Sequence, residues 1–140
     1  MQKVSQNDIA LLALRLAAGV IFVLHGYGKL FGHAPGMDMF TGMVAGLGFP
    51  MPAVFAYLAA CSEFFGGLAL ILGVVPRAAS FFLAVVMLVA FFGVKQASLP
   101  KADVDLSLLA IVAALGLMGH GKYALSAMMK KSKSAPEHAA

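Results

Sequence analysis

The stretch IALLALRLAAGVIFVLHGYGKLF, residues 9–31, decides how the chain is read. Its apolar residues run on without the period-2 alternation of a transmembrane barrel strand. At about 1.5 Å per residue, a helix of this length reaches roughly 35 Å, enough to cross the ~30 Å hydrocarbon core of a bilayer. A segment crossing that core must satisfy its own backbone N–H and C=O groups, which a helix does. A cleaved signal peptide is the rival reading, with Lys3 ahead of an apolar run. Arg15 interrupts that run and no small-x-small site precedes His25-Gly26-Tyr27, so the stretch reads as a retained span.

Three further apolar stretches follow, at residues 51–75, 78–94 and 104–120, the last two towards the short end of what a bilayer requires. Helix breakers separate them: Ala34-Pro35-Gly36, Phe49-Pro50-Met51-Pro52, Val75-Pro76 and Leu99-Pro100. The composition agrees. The chain has 140 residues, of which 61% are hydrophobic and 11% charged, against about 25% charged in soluble domains. A soluble domain of this length could not hide so much apolar surface, and lipid is the simplest thing for the excess to face.

The pattern predicts an all-α membrane protein, a four-transmembrane-helix bundle in a single domain over residues 1–126. A basic, disordered cytoplasmic tail is expected over residues 127–140. In the first outer loop Met37, Phe40, Met43, Val44 and Leu47 recur at helical spacing, which predicts a short interfacial helix. Four spans place both termini on the side of the Val75-Pro76-Arg77 turn, with Lys3, Arg77, Lys122, Lys130, Lys131 and Lys133. The other side holds Lys29, Lys95 and Lys101, so both termini are expected in the cytoplasm. The net charge of +4 is thereby a topology signal. The expected partner is the lipid bilayer, and no aromatic-basic motif argues for nucleic acid.

Because charge in lipid is expensive, ionisable residues within spans carry the information. Arg15, His25 and Lys29 share one face of the first helix at about 100° per residue. Glu63, the second span's only charge, falls near mid-bilayer and is flanked at three and four residues by Ala59, Ala60, Gly66 and Gly67. Depth along the two helices predicts an Arg15–Glu63 pair. Such a pair can fix register with no chemistry, or it can tune a carboxylate that takes up a proton or binds a polar ligand. Sequence leaves both open. A second group, His25, Lys29, Lys95, Asp103 and Asp105, gathers near the outer surface. Lys29, Lys95 and Asp103 suit interfacial anchoring, and Asp105 suits capping at a helix start. His25 is either a satisfied buried histidine or a donor to a quinone or other carbonyl headgroup.

Other chemistry is thin. His25, His33, His120 and His138 lack metal-ligand spacing, and the single Cys61 cannot complete a soft-metal site. No phosphate loop, dinucleotide fingerprint or nucleophile elbow is present, so a self-sufficient enzyme is not expected.

Leu14-Arg15-Leu16 with Gly19, Phe22 and the run from His25 to Gly32 (HGYGKLFG) resembles the first helix of the DoxX family. Gly46-Leu47-Gly48-Phe49-Pro50 precedes the second span as it does there. Glu63-Phe64-Phe65-Gly66-Gly67-Leu68-Ala69-Leu70, with Leu72-Gly73 and Pro76-Arg77, resembles that family's second helix and exit turn. Gly119-His120-Gly121-Lys122-Tyr123 resembles its closing stretch. Three positions depart from the pattern. Lys95 stands for a frequent histidine, Asp105 for a glutamate and Ser126 for an aspartate.

The resemblance implies a four-helix inner-membrane protein of a family named for a small subunit of a thiosulfate:quinone oxidoreductase, with other members linked to membrane redox complexes and oxidative-stress defence. It directs attention to Arg15, His25, Lys29 and Glu63, with Asp105 as a fifth ligand-binding candidate. The leading expectation is a membrane subunit of a redox complex. Quinone would be its cofactor, His25 and Glu63 its catalytic groups, and a soluble redox protein or a second copy of the chain its partner. The competing expectation is a non-catalytic scaffold whose charges only hold the bundle and whose basic tail docks partners. A solute transporter is a third reading, for which four spans without an inverted repeat are few.

Overall fold

The computed structural model describes residues 5–32, 36–96, 99–119 and 121–133. Among them there is no strand. The elements are α1 (Gln6–Phe31), α2 (Gly36–Gly46), α3 (Pro52–Leu72), α4 (Pro76–Val89), a π-helical turn (Ala90–Val94) that continues α4, α5 (Leu99–Met118) and α6 (Leu125–Lys133).

Local chemistry sets the ends. Ser5 caps α1, its hydroxyl accepting from the Asn7 N–H at 3.3 Å. Pro52 and Pro76 open α3 and α4 at the first helical turn, where a missing N–H costs nothing. α3 stops at Gly73, whose φ of 71° is the left-handed conformation that glycine adopts freely. The N–H of Val74 then returns to the Ala69 carbonyl at 3.0 Å, satisfying one of the orphan acceptors of the helix end.

α1, α3 and the continuous helix Pro76–Val94 are each long and apolar enough to cross a membrane. α5 is not, although it has 20 residues. Lys101, Asp103 and Asp105 crowd its first two turns, so any bilayer-length window along it carries three charges. Among the described residues three helices thus have the length and composition of a span. α5 still packs on α4, and its Leu108, Val112 and Leu115 share the buried core with Phe22, Leu70 and Leu83.

α1 and α3 form the closest helix pair because glycine lets their backbones touch. A Cβ on Gly67 would lie 2.8 Å from the Gly19 carbonyl oxygen, and one on Gly19 would lie 2.9 Å from the Gly67 carbonyl oxygen. No larger side chain fits either place without moving a backbone. The same contacts fix the antiparallel register, with Gly26 against Phe64 and Gly19 against Ile71. α2 is the helix expected in the first outer loop. It lies against α3 with Val44 buried.

α6 continues to Lys133, across the first part of the segment expected to be a disordered tail, and residues 134–140 lie outside the described residues. Ala124 is fully buried, and Ser126 bonds through its hydroxyl to the Gly73 carbonyl at 2.7 Å. Those anchors give the first turn of α6 a tertiary support that composition does not reveal.

Candidate functional site

Glu63 lies on the face of α3 turned towards α1, where small neighbours let the helices close over it. Its side chain is 2% exposed. An ionised carboxylate at that depth needs a partner. Lys29, in the last turn of α1, supplies one: its Nζ donates to Oε1 and Oε2 of Glu63, both at 2.6 Å. The lysine ammonium also lies 4.3 Å from the centroid of the Phe40 ring, so α2 contributes a cation–π contact to the same charge. Three helices therefore converge on one ion pair.

That pair forms the polar end of a cavity of about 320 Å³. Phe40, Val44 and Leu47 line it from α2 and the turn after it, Phe55, Leu58, Ala59 and Ser62 from α3, and Phe82, Val85 and Val89 from α4. The π-helical turn closes one margin through Val94. Its volume is near the lower limit of small-molecule sites, roughly 300–1,000 Å³, and it joins apolar walls to a few convergent polar groups. The arrangement can hold an apolar ring and present it with a donor, the Lys29 ammonium, and an acceptor, the Glu63 carboxylate.

The expected Arg15–Glu63 pair is not what the fold builds. The Arg15 Nε donates to the Leu70 carbonyl at 2.8 Å, and one terminal guanidinium nitrogen donates to the Ile71 carbonyl at 3.0 Å. Arg15 is 1% exposed and serves the last carbonyls of α3, where the helix dipole is negative. Seven residues of helix separate Leu70 from Glu63, about 10 Å along the axis. Depth counted along each helix alone assumes that the helix ends lie flush. The glycine register instead staggers them, so that Arg15 lies beyond the end of α3 and Glu63 lies level with the Lys29 end of α1.

His25 is the second correction. It shares a broad face with Lys29 but is exposed on the outside of the helix packing, and it bonds to no other described residue. The buried stripe of α1 runs through Leu11, Arg15, Ala18, Gly19, Phe22 and Gly26. At about 100° per residue, His25 is roughly 70° from the centre of that stripe and Lys29 roughly 30°. The long lysine stem covers its difference and the imidazole does not. His33, His120 and His138 lie outside the described residues.

The outer polar group divides in two. Lys29 goes to Glu63, while Lys95 pairs with Asp105 at 2.7 Å and ties the end of the π-helical turn to α5. Asp105 is thus an ion-pair partner in the second turn of α5, where a capping role was expected. Asp103 is exposed and accepts from the Val104 N–H at 2.8 Å.

One buried acid escaped the sequence reading. Asp8, in the first turn of α1, accepts from the Lys122 N–H at 3.1 Å and lies 3.6 Å from the Lys122 Nζ. The signal was present in two halves, an acidic first turn and the closing Gly-x-Gly-Lys-aromatic stretch, separated by more than a hundred residues. Nothing local joins them.

A DoxX family model matches residues 10–96, which include α1 from Ala10 onward, the site residues Lys29 and Glu63, and the whole of α4 with its π-helical turn. A Bacillus subtilis (strain 168) protein whose name reads "Putative oxidoreductase CatD" is 30% identical over 128 residues, covering 90% of this chain and 91% of the relative. No solved structure matches. The family match extends over more than half of the chain, the relative over nearly all of it, and both agree with apolar helices of bilayer length. The chain is a membrane protein and belongs to the DoxX family.

Proposed function

We propose that the chain is a small membrane subunit of a redox complex and holds a quinone at the Lys29–Glu63 end of the cavity. The single observation that carries this reading is a buried ion pair that ends an apolar, aromatic-lined cavity of about 320 Å³. An ion pair placed only to fix helix register needs no such cavity beside it. Lys29 would donate to a ring carbonyl, and Glu63 would accept a proton from a ring hydroxyl or return one. Ser62 adds a hydroxyl to the lining. The relative's oxidoreductase name and the family support a redox connection. His25, exposed and not among the residues that line the cavity, is left out of the site, and Arg15 and Asp105 are given structural roles.

The setting we propose is a four-helix transmembrane bundle in a bacterial-type inner membrane, with α5 as the fourth span. Its charged first turns would lie at the outer headgroups. Both termini would be cytoplasmic, since exposed Arg77 and the lysines of α6 belong to one end. A soluble redox protein would dock at that end.

The test is to purify the full chain from membranes, extract bound quinone, and repeat with Lys29→Met and Glu63→Gln. Quinone in the parent protein that is lost from folded variants supports the reading. Folded parent protein that neither retains nor takes up quinone refutes it. A second reading has its own observation: Lys29 and Glu63 already satisfy one another at 2.6 Å, as in a scaffold whose charges only hold the helices together. That reading predicts variants that lose stability and nothing else.

A further inference from the structure

We infer that the ligand of this cavity is a quinone with a hydrocarbon tail, which enters from the bilayer between α3 and α4 and leaves its tail in that slot. The inference rests on the quinone reading above and adds the ligand's class and its route. It follows from how the cavity walls are exposed.

The walls differ in kind. On the side of α1, Lys29 and buried Glu63 close the cavity against the bundle. Towards the end of α1, α2 covers it: Phe40 lies over Lys29, Val44 is buried, and Leu47 packs on Gly93 so closely that a Cβ there would stand 3.2 Å from the leucine methyls. The remaining side is open. Leu58 of α3 and Phe82 of α4 both line the cavity, yet are 58% and 57% exposed, and Val85 and Val89 are exposed beside them. All are apolar and belong to helices of bilayer length, so what lies outside that opening is lipid.

The geometry sorts ligands by chemistry. A free water-soluble quinone would have to pass α2 or first dissolve in the bilayer. A lipid with a charged headgroup would bring its charge through an apolar slot and place it against an ion pair already neutral as a unit. A tailed quinone has a neutral ring with carbonyls or hydroxyls at one end and hydrocarbon at the other. It meets Lys29, Glu63 and Ser62 with its ring, and its tail never leaves a lipid-like environment. The cavity takes only the ring and the first part of the tail, since about 320 Å³ is too small for a whole lipid.

The experiment uses the full chain in lipid nanodiscs and two radiolabelled probes, a benzoquinone with an isoprenoid tail and the same ring without one. Leu58→Trp and Val85→Trp fill the slot, and Phe92→Trp, equally lipid-exposed but outside the lining, is the control. Val89→Phe, a smaller addition in the slot, replaces any variant that loses its helical circular dichroism. We expect the slot variants to weaken the tailed probe by roughly tenfold or more and the tail-less ring by a clearly smaller factor, with Phe92→Trp unchanged. If the tailed probe binds slot variants and parent alike while Glu63→Gln weakens it, the quinone site stands and the lateral route is wrong. If neither probe binds the parent protein, the proposed function fails and this inference with it.

Discussion

Removing the two partners of the buried ion pair should have unequal effects, and the inequality can be worked from their positions. Lys29→Met leaves the Glu63 carboxylate at 2% exposure with no cation against it. Stranding one member of a buried pair costs about 3–5 kcal/mol. The destabilisation of Lys29→Met should therefore fall in that range. Glu63→Gln is milder. Lys29 is 19% exposed, stands in the last turn of α1 and keeps the Phe40 ring, so its ammonium can turn towards the outer surface. We expect a loss of about 1–2 kcal/mol, and for the double variant Lys29→Met/Glu63→Gln a loss near that of Glu63→Gln alone. The assay is reversible unfolding in mixed micelles followed by circular dichroism. Equal losses or additive losses would each refute the reasoning.

Three further outcomes follow from the fold. Gly73→Ala should destabilise by about 3 kcal/mol or more, because the residue needs φ 71° and a Cβ would stand 2.5 Å from the Ala124 Cβ; limited proteolysis should then cut near α6 before anywhere else. Arg15→Met should cost about 2–4 kcal/mol by removing the guanidinium donors to the Leu70 and Ile71 carbonyls, of which Leu70 keeps the Gly73 N–H. Quinone binding should be unchanged in whatever fraction folds, since the site is about 10 Å away along α3. His25→Ala should leave both melting and quinone content within error, about 0.5 kcal/mol at most, because the side chain is exposed and unbonded.

The sequence disclosed the all-helical class of the fold and singled out Lys29 and Glu63, but not their pairing. Helix existence was legible because apolar runs and Pro or Gly breakers act locally, and α2 was legible from the spacing of Phe40, Met43, Val44 and Leu47. Lys29 and Glu63 stood out for the same reason, as charges in apolar surroundings. Which cation meets Glu63 depends on the stagger of α1 against α3, and that stagger is set by Gly19, Gly26 and Gly67 closing on one another's backbones. No single-sequence pattern encodes that register. The role of Phe40 was hidden likewise: its spacing marks a helix, whereas its position over Lys29 comes from how α2 folds back on α3. Asp8 and Ser126 were missed because their partners, Lys122 and Gly73, are remote in sequence and meet only when the last segment docks.

The most direct test of the quinone site is photolabelling in native membranes with an azido-quinone bearing an isoprenoid tail, followed by peptide mapping. The account predicts label on residues 55–63 and 82–90, displaced by excess unlabelled tailed quinone and lost in Lys29→Met. Label that no competitor displaces, or displaceable label centred on His25 on the outer face of α1, would contradict it.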